Sequence, residues 1–179
     1  MNLRVIAGWL GSRQFASPAT HTTHPMSERM RGALFNSLGS IADKTVLDPF
    51  AGSGALSFES VSRGATSAVA IERERRAWQT VQKNIQTLGV SGQVTLVKGS
   101  CRSWSELHPD QEFDLIICDP PYDDLQLSTL SLLSRHLKNN GLMVVSYPGR
   151  ESAPTVNGVV VVDKSYFGDA ALAYYRKAA

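Results

Sequence analysis

Thr45-Val46-Leu47-Asp48-Pro49-Phe50-Ala51-Gly52-Ser53-Gly54-Ala55 decides the fold. A short strand-forming run enters a turn with two glycines, and helix-compatible residues follow to about Arg63, closed by Gly64. A strand, a glycine turn and a helix open a parallel α/β unit. The pattern then repeats. Val69-Ala70-Ile71 predicts a second strand ending in Glu72, and the next helix sets Trp78, Val81, Ile85 and Leu88 on one face before Gly89. Residues 94–97 and 115–118 read as further strands. Residues 125–137 read as a leucine-rich helix stopped by Asn139-Asn140-Gly141, before a fifth strand over 142–145. Residues 156–162 and 170–175, joined near Gly168, predict an antiparallel hairpin that closes the sheet. The expectation is a doubly wound, mostly parallel seven-stranded α/β sheet covered by helices on both faces.

Upstream of Thr45 the reading is different. Residues 2–15 predict short extended pieces around Gly8 and Gly11, and residues 16–26 a loop rich in Pro, Thr and His. A helix is expected to start with Ser27 as N-cap and Glu28 favourably placed against the helix dipole. Met30, Ala33, Leu34, Leu38 and Ile41 follow its period. We therefore divide the chain into an N-terminal extension, residues 1–44, and a main domain, residues 45–179.

Composition bounds the function classes. The 179 residues are 42% hydrophobic and 19% charged, ordinary for a globular domain. No run of 18 apolar residues and no basic-then-apolar leader is present, which points away from a membrane span or a secreted form. Cys101 and Cys118 lack a C-x-x-C spacing and suit a reducing cytoplasm. His21, His24, His108 and His136 show no metal-ligand spacing, so no metal is assigned. Net charge is only +2. The first 45 residues, however, carry Arg4, Arg13, Arg29, Arg31 and Lys44 against Glu28 and Asp43. A phosphate backbone would touch that segment first.

In doubly wound sheets ligands bind beyond the carboxyl ends of the strands. Asp48, Glu72, Ser100 and Asp119 stand at four of those ends. The turn after Asp48 is an incomplete dinucleotide fingerprint, because Ser57 occupies the third glycine position. A carboxylate opening the turn would repel a pyrophosphate. It favours a ligand with cationic groups and no phosphate, such as S-adenosylmethionine, whose approach Gly52 and Gly54 would admit. Glu72, 24 positions after Asp48, stands where an acid grips ribose hydroxyls. No P-loop sequence is present.

Asp119-Pro120-Pro121-Tyr122 follows the apolar run Phe113–Cys118. The Asp119 carboxylate and the Pro120 carbonyl offer two acceptors, the prolines restrain them, and Tyr122 offers a stacking surface. The combination suits a planar group bearing an exocyclic NH2, such as a nucleobase. A base within a duplex cannot reach such a pocket, so the target would be single-stranded or flipped out.

Val46–Glu59 with Asp119–Tyr122 resemble the class I S-adenosylmethionine-dependent methyltransferases that act on exocyclic amines. Arg4–Gly8, Met26–Asn36, Asp48–Leu56 and Tyr166–Leu172 narrow the resemblance to the RsmD family, over nearly the whole chain. The resemblance implies a Rossmann-like methyltransferase fold. It also implies methyl transfer to N2 of one guanine, the family target guanine 966, in 16S rRNA, with the free rRNA or the assembling small ribosomal subunit as partner. The implied cofactor is S-adenosylmethionine, held by Asp48, Phe50, Ala51, Gly52, Gly54, Glu72, Arg73, Ser100, Cys101 and Asp119. Asp119, Pro120 and Tyr122 are the implied catalytic group. Arg4, Arg13, Arg29, Arg31, Pro121 and Tyr122 are the implied RNA contacts, in a cytoplasmic monomer without metal. The chain departs from the family pattern at His24, Glu28, Ser100 and Ser146-Tyr147, where arginine, aspartate and two acidic residues are usual. A backbone group or the Ser100 hydroxyl would then meet the adenine amine. Asp-Pro-Pro-Tyr leaves DNA adenine and protein glutamine open as targets. A ribosome-assembly RNA-binding module is the non-enzymatic alternative.

Overall fold

The computed structural model describes residues 2–19 and 25–178. Its seven-stranded sheet has the order β5-β4-β3-β6-β7-β9-β8, and a separate two-stranded sheet pairs β1 with β2. The chain forms two compact units, Met1–Ser100 and Cys101–Ala179.

In the first unit β1 (Asn2–Arg4) and β2 (Gln14–Ala16) make the expected antiparallel hairpin. Helix α1 (Glu28–Leu38) starts where capping chemistry puts it, with the Ser27 hydroxyl accepting the Met30 N–H, a cap that contributes about 1 kcal/mol. The parallel strands β3 (Thr45–Asp48), β4 (Ser67–Glu72) and β5 (Val94–Lys98) lie side by side. Helix α2 (Ala55–Ser62) joins β3 to β4, and α3 (Arg75–Leu88) joins β4 to β5. Every residue of α2 is buried, because the N-terminal segment covers the side that would otherwise meet solvent. Leu10 N–H donates to Ser62 Oγ, Trp9 Nε1–H to the Val61 carbonyl, and Ile6 and Ala7 N–H to the Glu59 carboxylate. At Gly8 a Cβ would stand 1.9 Å from the Ser62 carbonyl oxygen, so only glycine permits this backbone approach.

The second unit contains β6 (Phe113–Cys118) parallel to β7 (Leu137–Pro148), then the hairpin β8 (Val159–Phe167) and β9 (Ala170–Lys177), antiparallel to β7 through β9. Four expectations need correction. A helix not anticipated, α4 (Cys101–Leu107), follows β5, anchored by buried Trp104 against Phe113 and His136. Helix α5 (Leu127–Ser134) is shorter than 125–137, since Leu137 already pairs with Phe113. Asn139-Asn140-Gly141 stops no helix. It bulges inside β7, where the register jumps from Phe113↔Leu137 to Leu115↔Leu142. The first strand of the hairpin starts at Val159 rather than 156.

Candidate active site

In the first unit, the β3–α2 turn is fixed by main-chain bonds. Ala51 N–H donates to the Ile71 carbonyl, Gly54 N–H to the Ala51 carbonyl, and Gly52 N–H to Glu72 Oε1 at 2.8 Å. The second Glu72 oxygen accepts Glu74 N–H, also at 2.8 Å. Glu72 is therefore aimed by two amides, and each oxygen keeps a further lone pair for an outside donor. A vicinal diol offers two such donors. Phe50 is half-buried and Ala51 buried beside Gly52, while Arg73 is exposed at the end of β4.

Two glycine-loop residues act differently from expectation. Asp48 is fully buried, and its Oδ2 accepts the Ser57 hydroxyl at 2.7 Å. It shapes the loop from inside. Ser57, read in the sequence only as a missing glycine, is the donor that holds it. At Gly54, with φ +85°, a Cβ would lie 2.7 Å from Phe58 Cε2 and 3.2 Å from Val81 Cγ1. Gly54 thus faces packed side chains and serves helix packing, rather than clearing space for a ligand. Ser100 is half-buried, and Cys101, a buried thiol, opens α4.

The arginines expected to hold RNA separate into different environments. Arg31 is 1% exposed, which corrects its assignment as a phosphate contact. Its Nη2 donates to the Arg4 carbonyl at 2.6 Å, and its Nε lies 3.7 Å from buried Glu59. Burial pushes its pKa down, while the Glu59 charge opposes the shift. Arg13 donates to the Thr87 carbonyl in the last turn of α3. That is about 18 Å along the helix from its start at Arg75, so Arg13 lies at the far end from Glu72. Arg4 is exposed and forms a two-pronged ion pair with Glu28 at 2.9 and 3.1 Å. Arg29 is exposed and has no polar partner among the described residues. Arg31 meets Glu59, and Phe35 and Asn36 meet Arg63. These side-chain contacts tie α1 to α2 through Glu59 and Arg63. His24 lies outside the described residues.

In the second unit, Asp119 follows directly on β6. Its Oδ1 accepts the hydroxyl of fully buried Ser146 on β7 at 2.5 Å. Burial pushes the Asp119 carboxyl up to about 6, and the Ser146 hydrogen bond opposes that rise. Pro120 is buried and Pro121 exposed. The turn is closed by Asp124 N–H to the Pro121 carbonyl and Gln126 N–H to Asp124 Oδ1. Tyr122 is 40% exposed. Burial raises the pKa of its hydroxyl, the Ser146 hydrogen bond lowers it, and the Asp119 charge raises it again. Ser146 thus holds the carboxylate that opens the loop. In the sequence Ser146 stood out only as a departure from the acidic residue usual in the family after the fifth strand.

This strand order, with a glycine turn after β3, an aimed acid after β4 and Asp-Pro-Pro-Tyr after β6, defines a class I methyltransferase fold. Residues 3–176 match the family model described as Conserved hypothetical protein 95. The chain belongs to this family, the one to which its RsmD-like motifs point. It is 33% identical to Ribosomal RNA small subunit methyltransferase D of Escherichia coli K12, across 86% of this chain and 79% of that protein. It is also 33% identical to the protein of the same name from Haemophilus influenzae, across 80% and 77%. The solved structure of yhhF from Escherichia coli superposes with a TM-score of 0.84 at 30% identity, over 99% of this chain and 98% of that one. Among the described residues, no helix is long and apolar enough to cross a membrane.

Proposed function

We propose that the protein transfers a methyl group from S-adenosylmethionine to the exocyclic N2 of a guanine in 16S rRNA, at the family position 966. The observation that carries this reading is the Asp119 carboxyl, held by Ser146 after β6 and followed by the Pro120 carbonyl and the exposed Tyr122. The small-subunit rRNA methyltransferase names of the relatives support ribosomal RNA as the substrate.

S-adenosylmethionine supplies a methyl group already activated on a sulfonium, so the chain's own task is placement. Glu72 would hold the ribose hydroxyls with the lone pairs that Gly52 and Glu74 leave free. Gly52 and Ala51 would line the cofactor, and Asp48 would favour its positive end from below. Asp119 and the Pro120 carbonyl would each accept one proton of the guanine amine. That orients the nitrogen and lets its lone pair leave conjugation with the ring. Orientation of this kind removes a large part of a transfer barrier. Positive charge grows on the nitrogen during attack, and the Asp119 carboxylate stabilises it. A carboxyl with a pKa of about 6 can also take the proton released afterwards. Tyr122 would stack on the extruded base.

The test is incubation with methyl-labelled cofactor and, in parallel reactions, 30S-derived rRNA, DNA and protein, followed by mass spectrometry of the nucleosides and peptides. Label in N2-methylguanosine is expected. Label confined to DNA adenine or to protein glutamine would overturn the substrate assignment, and failure to bind the cofactor would favour a non-enzymatic RNA-binding module.

A further inference from the structure

A shallow groove of about 440 Å³ lies between α4, α5 and residues 157–158, all within the second unit. Its lining includes Arg102, Ser128, Ser131, Ser134, Arg135 and Asn157 and, among the described residues, no carboxylate. Both arginines are exposed, and neither guanidinium makes a hydrogen bond or ion pair with any described residue. Arg63 is held by Glu59, Arg176 by the Asn140 and Gly141 carbonyls, and Arg4 by Glu28, while exposed Arg29 shares the unpaired state of the groove pair. The groove is thus a place where positive charge has been left without a partner.

Its wall is rigid. Ser134 Oγ donates to the Ser131 and Asn157 carbonyls, Asn157 N–H donates to Ser131 Oγ, and Ala178 N–H donates to the Gly158 carbonyl. Because Ser131 Oγ accepts from Asn157, its own proton is available to a ligand, as is that of Ser128. Two guanidiniums and two hydroxyl donors without an acid form an anion site. The groove is too open to enclose a small molecule. Ser128 and Arg135 are separated by about 10 Å along the helix axis, more than a single phosphate spans. An extended polyanion fits these dimensions. Helix α5 also follows directly on the Asp119–Tyr122 loop, so a strand leaving that loop can run down the groove.

We infer that this groove binds successive phosphates of the RNA strand that carries the target base. The inference rests on the rRNA reading above. It is tested by the affinity of the protein for a 16S rRNA fragment across roughly 50–200 mM salt. The parent protein is compared with the double variants Arg102→Gln/Arg135→Gln and Arg102→Lys/Arg135→Lys. Loss of two phosphate contacts should flatten the slope of log K against log salt by about 1.4 to 1.8, and the Lys pair should keep the parent slope. An unchanged slope in the Gln pair overturns the groove and leaves the methyltransferase reading intact. Failure of the parent protein to bind the fragment at any salt overturns both.

Discussion

Glu72 and Asp119 are both carboxylates placed at the carboxyl end of a parallel strand, but their surroundings differ. Glu72 receives one backbone amide on each oxygen, so its charge is satisfied before any ligand arrives. Asp119 is pressed into low-dielectric surroundings with the Ser146 hydroxyl as a donor, and its pKa rises to about 6. The first arrangement suits a fixed acceptor that must not change state. The second keeps a carboxyl poised between its two protonation states near working pH, which suits a group that meets a reacting amine.

Removing the poised member should have the largest effect. Asp119→Ala is expected to lower methyl transfer by about a thousandfold or more, with cofactor affinity by calorimetry nearly unchanged. Near-normal turnover would erase the distinction between the two carboxylates. Stability should move the other way. Because the folded pKa lies above the ordinary value of 3.8, the fold pays for the ionised carboxyl above pH 6. That cost fades as the pH falls through 6 and is gone below about 3.8. Asp119→Asn should therefore stabilise the protein by about 1–3 kcal/mol at pH 8 and by much less at pH 4, measured by denaturant unfolding.

Altering the satisfied member should cost affinity. Glu72→Gln turns one oxygen into an NH2 that faces a backbone N–H. We expect cofactor binding to weaken about 10- to 100-fold and stability to fall by about 1–3 kcal/mol. Parent-like affinity would remove Glu72 from the cradle.

The smallest effects separate two arginines on one helix. Arg31→Ala leaves Glu59 buried with one cation fewer and should destabilise by about 3 kcal/mol. Arg29→Ala should stay within about 0.5 kcal/mol, while reducing the salt slope of RNA binding by about one. Equal stability losses would mean that Arg29 is not on the surface.

These contrasts mark where the sequence was legible. Strand–turn–helix alternation, the Ser27 cap and the strand-end acids rest on local chemistry, and the fold places them as expected. Arg31 was misread because its period on α1 said nothing of the Glu59 waiting on α2. Glu59, to which the sequence assigned no role, is the acceptor for two amides of the N-terminal segment. Helix α4 escaped because seven residues give too short a window for a helical period, and its anchor, Trp104, is buried against residues distant in sequence. The bulge at Asn139–Gly141 follows from pairing with β6, which turn-forming residues alone do not disclose.

The most direct test is the pH dependence of single-turnover methyl transfer in the parent protein and in Ser146→Ala. The account predicts an acid limb with a midpoint of about 6, moving to higher pH when the Ser146 hydroxyl that favours the carboxylate is removed. A limb in the ordinary carboxylate range, or one that ignores Ser146→Ala, would contradict it.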